Sequence, residues 1–249
     1  MPITAAGRVT DQVSTIDSAV LLLTCSNDEQ ARQLGIQTSP VAGVPVVTLP
    51  ARPDRTAIDP VLAEHEPRRV LVAGTDADLA AVLVRLLRTD RLGVEVAYLP
   101  WGRSAAVAAW ALPTGSDART LALAGRASPA PLVRDDAGGV LVGRAEIRGM
   151  RGECYCDDVL VLRGTARRLV VTPGPVGIAV RAGWTGRTPD GHVRAVPPRA
   201  PRGRGSAVGR AVQVGCEPAT VVSDGVAHPR GVQRFTWYRH TQDWLLVRP

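Results

Sequence analysis

Gly74 and Asp76 sit in a short turn, GTDAD, directly after an apolar run and directly before an amphipathic stretch that continues to Leu87. A glycine at the end of a buried strand lets the backbone come close to a ligand. The helix that follows turns unpaired N–H groups and the positive end of its dipole toward phosphate. An aspartate in such a turn can ligate a metal ion or take the proton of a hydroxyl nucleophile. Asp78 offers a second carboxylate, or else the N-cap of the helix. Capping alone also explains Gly–x–Asp at a strand end. Further along, Pro100–Ser104 (PWGRS) makes a second turn into an Ala-rich stretch. Arg103 stands at that helix start, where a guanidinium fork suits phosphate.

Other chemistry has less support. The four His (His65, His192, His228, His240) show no i,i+4 pairing, and no G-x-S-x-G nucleophile elbow occurs. Cys154, Cys156, Cys216 and a His offer a conceivable metal site, but C-x-C is a weak signal, and buried thiols are the simpler reading. Tyr155, Asp157 and Asp158 read as an acidic turn opening a strand. The aromatics of FTWYRHTQDWLL, beside Arg234 and Arg239, are explained by alternation on a terminal hairpin around residues 240–243, so nucleic acid is disfavoured as a partner.

The chain of 249 residues carries Arg but no Lys, with a net charge of +7. Eleven Arg against four acidic residues from Arg181 onward account for that whole surplus. A basic C-terminal part attracts nucleic acid, anionic lipid or phosphorylated ligands, yet complete replacement of Lys by Arg equally reflects a GC-rich coding sequence. No run approaches the roughly 18 apolar residues of a membrane span, and the N-terminus lacks the layout of a signal peptide. A cytoplasmic location is the expectation.

These residues need elements to position them. Residues 18–25, 44–49, 69–73 and 94–99 read as buried strands, separated by helices from Ser26 to Gly35, around residues 58–65 and over residues 78–87. Such alternation argues for a parallel sheet with helices on both faces. A further helix is expected over residues 105–112. From about Leu132 the texture becomes short, β-branched runs bounded by Gly, Pro or Asp: residues 139–147, 159–162, 169–172, 177–180, 211–214 and 220–223. That is the pattern of an antiparallel sandwich. Residues 192–210, rich in Pro, Gly and Arg, read as an exposed loop. The expected organisation is an extension over 1–17, an α/β domain over 18–128 and a β-sandwich domain over 129–249, whose last strand is a candidate to return to the interdomain region.

The order of these segments resembles the diacylglycerol kinase and NAD kinase superfamily, as a divergent member. The first turn there reads G-G-D-G-T; here it is Gly74, Thr75, Asp76, Ala77 and Asp78. The second motif, P-x-G-T-x-N-D-x-A, meets Pro100, Trp101, Gly102, Arg103, Ser104, Ala105, Ala106, Val107 and Ala108. The third, D-G-E, meets Asp224, Gly225 and Val226. Ala111–Gly125 is similar to the family's connection from helix to β domain. The resemblance implies Asp76 as the catalytic proton acceptor, a nucleotide site at Gly74, Thr75, Gly102, Arg103 and Ser104, and Asp224 and Gly225 in the interdomain cleft. It implies no protein metal ligand, and ATP with Mg²⁺ if the protein is active. The departures bear on activity. Two turn glycines have gained side chains, the Asn–Asp pair has become Ala105–Ala106, and the Glu has become Val226. The expectation is a catalytically impaired binding or regulatory module holding a nucleotide or phosphorylated ligand in the cleft. The alternatives are an active lipid or NAD kinase using Asp76, and a structural protein that binds a partner, with a homo-oligomer left open.

Overall fold

The computed structural model describes residues 19–25, 43–183 and 204–249. The helix expected from Ser26 to Gly35 and most of the loop expected over residues 192–210 lie outside them. Four strands, β1 (Val20–Cys25), β2 (Val46–Leu49), β3 (Arg69–Gly74) and β4 (Glu95–Pro100), form a parallel sheet in the order β2-β1-β3-β4. These strands are nearly continuous in apolar residues because helices cover both faces. Val70 and Val72 point to a core shared with α1 (Arg55–His65), α2 (Asp76–Arg88) and α3 (Ala105–Trp110). Leu71 and Ala73 point the other way, into a smaller cluster with Ala122 of α4 (Gly115–Ala124). Asp54 caps α1, accepting from the N–H groups of Thr56 and Ala57 at 2.9 and 3.2 Å.

Two later segments complete this sheet. β16 (Trp244–Val247) lies parallel to β4, and β5 (Ala127–Ala130) closes the edge antiparallel to β16. The hairpin expected around residues 240–243 is therefore not formed. β15 (Val232–Arg239) stays in the second sheet, between β12 (Ala211–Ala219) and β6 (Val133–Asp135), while β16 crosses to the first. The reason is burial. Trp244 and Leu246 fill the core against α3, whereas a local hairpin would leave them outside it.

The second sheet is antiparallel and folds over as a sandwich. It contains β6, β7 (Val140–Leu141), β8 (Ala145–Cys156), β9 (Val159–Gly174), β10 (Gly177–Gly183), β11 (Ser206–Gly209), β12 and β15, in the order β11-β10-β9-β8-β12-β15-β6-β7. β13 (Val221–Ser223) pairs with the start of β8 and with β14 (Val226–Ala227). Ile147, Leu162, Leu169, Val180, Val212 and Trp237 share its interior with Cys154 and Cys156. Burial pushes the Cys154 thiol up to about 12, the state of an inert core thiol. The two runs expected at residues 159–162 and 169–172 belong to the single long strand β9. The run expected at 139–147 is broken at Val142–Arg144, and that break lies at the site. Among the described residues no helix is long and apolar enough to cross a membrane.

Candidate functional site: the cleft at the end of the parallel sheet

β3 and β4 end side by side, with Gly74 paired to Pro100, so the two turns expected from sequence meet at the carboxyl edge of the sheet. Ligands of open α/β sheets bind at this edge. Thr75 is the N-cap of α2, and Asp78 is the third helical residue, its partner in a capping box. The reading of Asp78 as N-cap is thus corrected by three residues. Its carboxylate is buried, accepting from the Thr75 N–H and hydroxyl at 2.7 Å each and from the Arg52 N–H at 2.6 Å. This arrangement requires Gly74. A Cβ there would stand 2.8 Å from Asp78 Oδ2 and 2.9 Å from Asp78 Cβ. The close approach that this glycine permits is to Asp78.

Asp76 faces the opposite way, toward the second turn. Its Oδ1 accepts from the Ser104 hydroxyl at 2.5 Å and from the Tyr98 hydroxyl at 2.9 Å. Its Oδ2 accepts from the N–H groups of Ala105 and Ala106 at 2.7 and 3.2 Å. Ser104 is itself the N-cap of α3, accepting from the Val107 N–H at 3.0 Å. Burial, reinforced by the neighbouring Asp76 charge, pushes the Tyr98 phenol up, so Tyr98 keeps its proton and remains a donor. Both oxygens of Asp76 are thus committed to holding α3 against the first turn.

Asp224, at the tight β13–β14 turn with φ of 49°, binds the break between β7 and β8. It accepts from the N–H groups of Val142, Gly143 and Arg144 at 2.9, 2.8 and 2.9 Å. The segment so held passes directly over α3. A Cβ on Gly143 would lie 2.7 Å from the Ala106 nitrogen and 2.8 Å from Asp76 Oδ2. Trp110 of α3 donates to the Val142 carbonyl at 2.8 Å and meets Trp244 edge to face, with ring centroids 5.9 Å apart. Asp224 is pushed up to about 7, chiefly by burial, with a smaller contribution from Asp76; its three backbone donors pull the other way. Two carboxylates, Asp76 and Asp224, and the close approach of Gly143 thus add to the Trp110 contact in holding the two domains together.

What stays open is a cleft of about 410 Å³ lined by Thr75, Asp76, Ala77, Arg103, Ala105, Arg144 and Asp224–Val226. The expected residues Thr75, Asp76, Arg103, Asp224 and Gly225 all border it. Gly74 and Ser104 stand behind it through Asp78 and Asp76. Gly102 shapes the second turn, with φ of 74°. Exposed Arg103 forms no ion pair among the described residues, and the N-terminus of the 13-residue α2 points to the same space. This arrangement can attract an anion. Among the described residues, no group of three or more His, Cys, Asp and Glu is placed to hold a metal.

Sequence reasoning missed Tyr98, Gly143 and Arg144. Tyr98 carried a usable signal, being polar near the end of an apolar strand whose neighbour ends in the candidate turn. Gly143 and Arg144 carried none, because their roles exist only once Asp224 has folded onto them.

The parallel sheet with helices on both faces, the antiparallel sandwich and the returning last strand define the diacylglycerol kinase and NAD kinase fold. An NAD kinase from Archaeoglobus fulgidus, solved in complex with ATP, matches with a TM-score of 0.50 at 12% identity, over 92% of this chain and 93% of that one. A protein described as a "putative diacylglycerol kinase" from Bacillus anthracis str. Sterne matches with a TM-score of 0.60 at 11% identity, over 93% and 97% of the two chains. No family model and no curated protein matches the sequence.

Proposed function

We propose that this chain is a catalytically impaired binding module of the kinase fold, taking a nucleotide or another phosphorylated ligand in its interdomain cleft. The observation that carries this reading is the saturation of Asp76. A base for phosphoryl transfer must offer an oxygen to the acceptor hydroxyl, and here four donors already occupy the carboxylate. Two of those donors are the N–H groups of Ala105 and Ala106, where the resemblance expected an Asn–Asp pair. Neither position has a polar side chain, and each backbone donor is spent on the cap.

Binding is a separate matter from catalysis. The N-terminus of α2, Arg103 and Arg144 border one open space, and together they suit the phosphates of ATP. A Mg²⁺ ion would arrive with those phosphates. Titration calorimetry with ATP, with and without Mg²⁺, tests the reading. Saturable binding is expected, weakened roughly tenfold or more by Arg103→Ala, since a charge-assisted hydrogen bond contributes about 1.5–3 kcal/mol. No heat at millimolar ATP would overturn it in favour of a structural, partner-binding role.

One observation favours an active kinase instead: Asp76 borders the same cleft as both arginines. On that reading an incoming acceptor hydroxyl displaces Ser104 from Oδ1, and Asp76→Asn abolishes transfer.

A further inference from the structure

Beside the cleft, on the outer face of the sandwich, one carboxylate gathers three arginines. Glu146 and Arg148 alternate along β8, so both project from the side opposite Ala145 and Ile147, which are in the core. Arg168 on β9 is the direct cross-strand partner of Arg148. Like charges directly opposite on a sheet are destabilising, and Glu146 lies where it can bridge them. Arg148 Nε donates to Glu146 Oε1 at 2.5 Å, Arg168 donates to Oε2, and Arg144 stands 3.8 Å from Oε2. The Glu146 side chain is buried, whereas that of Arg148 is 84% exposed. Burial raises the Glu146 carboxyl, but Arg148 and Arg168 more than offset this and hold it below its usual range.

The surplus of positive charge is not repeated elsewhere among the described ion pairs. Arg151 with Glu217, Arg163 with Glu153 and Arg85 with Asp59 are one-to-one. Here three cations share one anion, leaving a net charge of +2 on a few adjacent side chains. Arg144, Glu146 and Arg148 line a depression of about 650 Å³ together with Thr220, Val222 and Gly225, while Arg168 borders a neighbouring depression lined by Val170, Thr172 and Ala179. Arg144 and Gly225 border the first depression and the interdomain cleft alike.

We infer that the Arg144–Arg148–Arg168 cluster, preset by Glu146, is a second anion subsite that takes a phosphate monoester group. A dianion matches the net charge. Each guanidinium has five N–H donors in a fixed fork, and Glu146 uses few of them, so the exposed donors of Arg144 and Arg148 remain to bind phosphate oxygens, whereas Arg168 Nε is buried and adds charge rather than a contact. Glu146 acts as a positioning residue by holding the forks at one place. The free phosphate of a soluble ester and a phosphate-bearing lipid headgroup present the same chemistry. The subsite stands whether or not the cleft binds a nucleotide.

The experiment measures binding of inorganic phosphate by calorimetry at constant ionic strength, with chloride as the reference anion. In parallel, vesicles of neutral lipid are compared with vesicles doped with a phosphate-monoester lipid. Wild-type protein is expected to bind phosphate saturably or to sediment with doped vesicles only, and the arm that responds identifies the source. Arg148→Ala changes a largely exposed side chain and should weaken the response roughly tenfold or more. Arg151→Ala, outside the cluster, should leave it unchanged. Glu146→Gln raises the cluster's net charge to +3, so weaker phosphate binding by this variant at an unchanged melting temperature marks the positioning role, and unchanged or tighter binding removes Glu146 from the proposal. No saturable response in either arm overturns the subsite, as does a response that Arg148→Ala and Arg168→Ala leave intact. ATP affinity and its sensitivity to Arg103→Ala are read separately, so failure here is distinguishable from failure of the cleft reading.

Discussion

Asp76 Oδ2 accepts the backbone N–H of Ala105 at 2.7 Å, so the acid of the first turn holds the helix that begins at the second. With Ser104 on the other oxygen, Asp76 acts as a clamp between β3 and β4 at the edge where a ligand would enter. Removing the clamp should cost stability. Asp76→Ala leaves the donors of Ser104, Tyr98, Ala105 and Ala106 without their acceptor. A loss of about 2–4 kcal/mol is expected, as for several hydrogen bonds to a charged group removed together. Urea unfolding measures it; a loss below about 0.5 kcal/mol, the usual range for surface changes, would show that the clamp is not structural.

Gly143 packs directly against α3 and Asp76 across the domain junction. In Gly143→Ala the new methyl meets the Ala106 nitrogen and Asp76 Oδ2, both well inside contact distance. Overpacking of this kind typically costs about 1–3 kcal/mol. Thermal unfolding should show a lower Tm, whereas Gly149→Ser, where a Cβ meets nothing within 4 Å, should cost less despite its positive φ of 62°. Equal losses would mean that backbone conformation dominates over the interdomain contact.

Trp110→Phe keeps an aromatic ring beside Trp244 and removes the donor to the Val142 carbonyl. Leaving that buried acceptor unpaired should cost about 1–3 kcal/mol. Chemical denaturation followed by tryptophan fluorescence checks this. No loss would place the anchoring of the 142–144 segment on Asp224 alone.

Asp224 makes the stability of the domain junction depend on pH. Its folded-state value of about 7 lies above the ordinary value of 3.8 for an unfolded chain. The native state therefore holds this proton more tightly. The associated stabilisation is complete below about pH 4 and is lost as pH rises through about 7. Asp224→Asn cannot titrate, so the stability of wild type relative to this variant should fall between about pH 4 and pH 8. A difference that stays flat across that range would mean that the three backbone donors hold the carboxylate ionised throughout.

Much of the scaffold was legible because it rests on local pattern. The runs at β1, β3 and β4 are apolar on both faces, and the turns GTDAD and PWGRS follow β3 and β4 directly, so order along the chain gave their meeting place. A cap at this helix start was expected at Asp78, whereas the structure puts it at Thr75 with Asp78 as its capping-box partner. The fate of β16 was left between a hairpin and a return toward the other domain, since WLLV pairs equally well in either, and only burial against α3 and β4 decides between them. The occupation of Asp76 was not legible. An aspartate in a turn has the same letter whether its oxygens face a substrate or four donors of its own chain. The arginine cluster was hidden in the same way, because Arg144, Arg148 and Arg168 converge only through the pairing of β8 with β9.

The central claim is that Asp76 serves structure rather than catalysis, and transfer of the labelled γ-phosphate of ATP, in the presence of Mg²⁺, to NAD and to diacylglycerol tests it most directly. The expected result is no product from wild-type protein above the level given by Asp76→Asn, in preparations that bind ATP by calorimetry. Sustained product formation by wild type that disappears in Asp76→Asn would contradict the account.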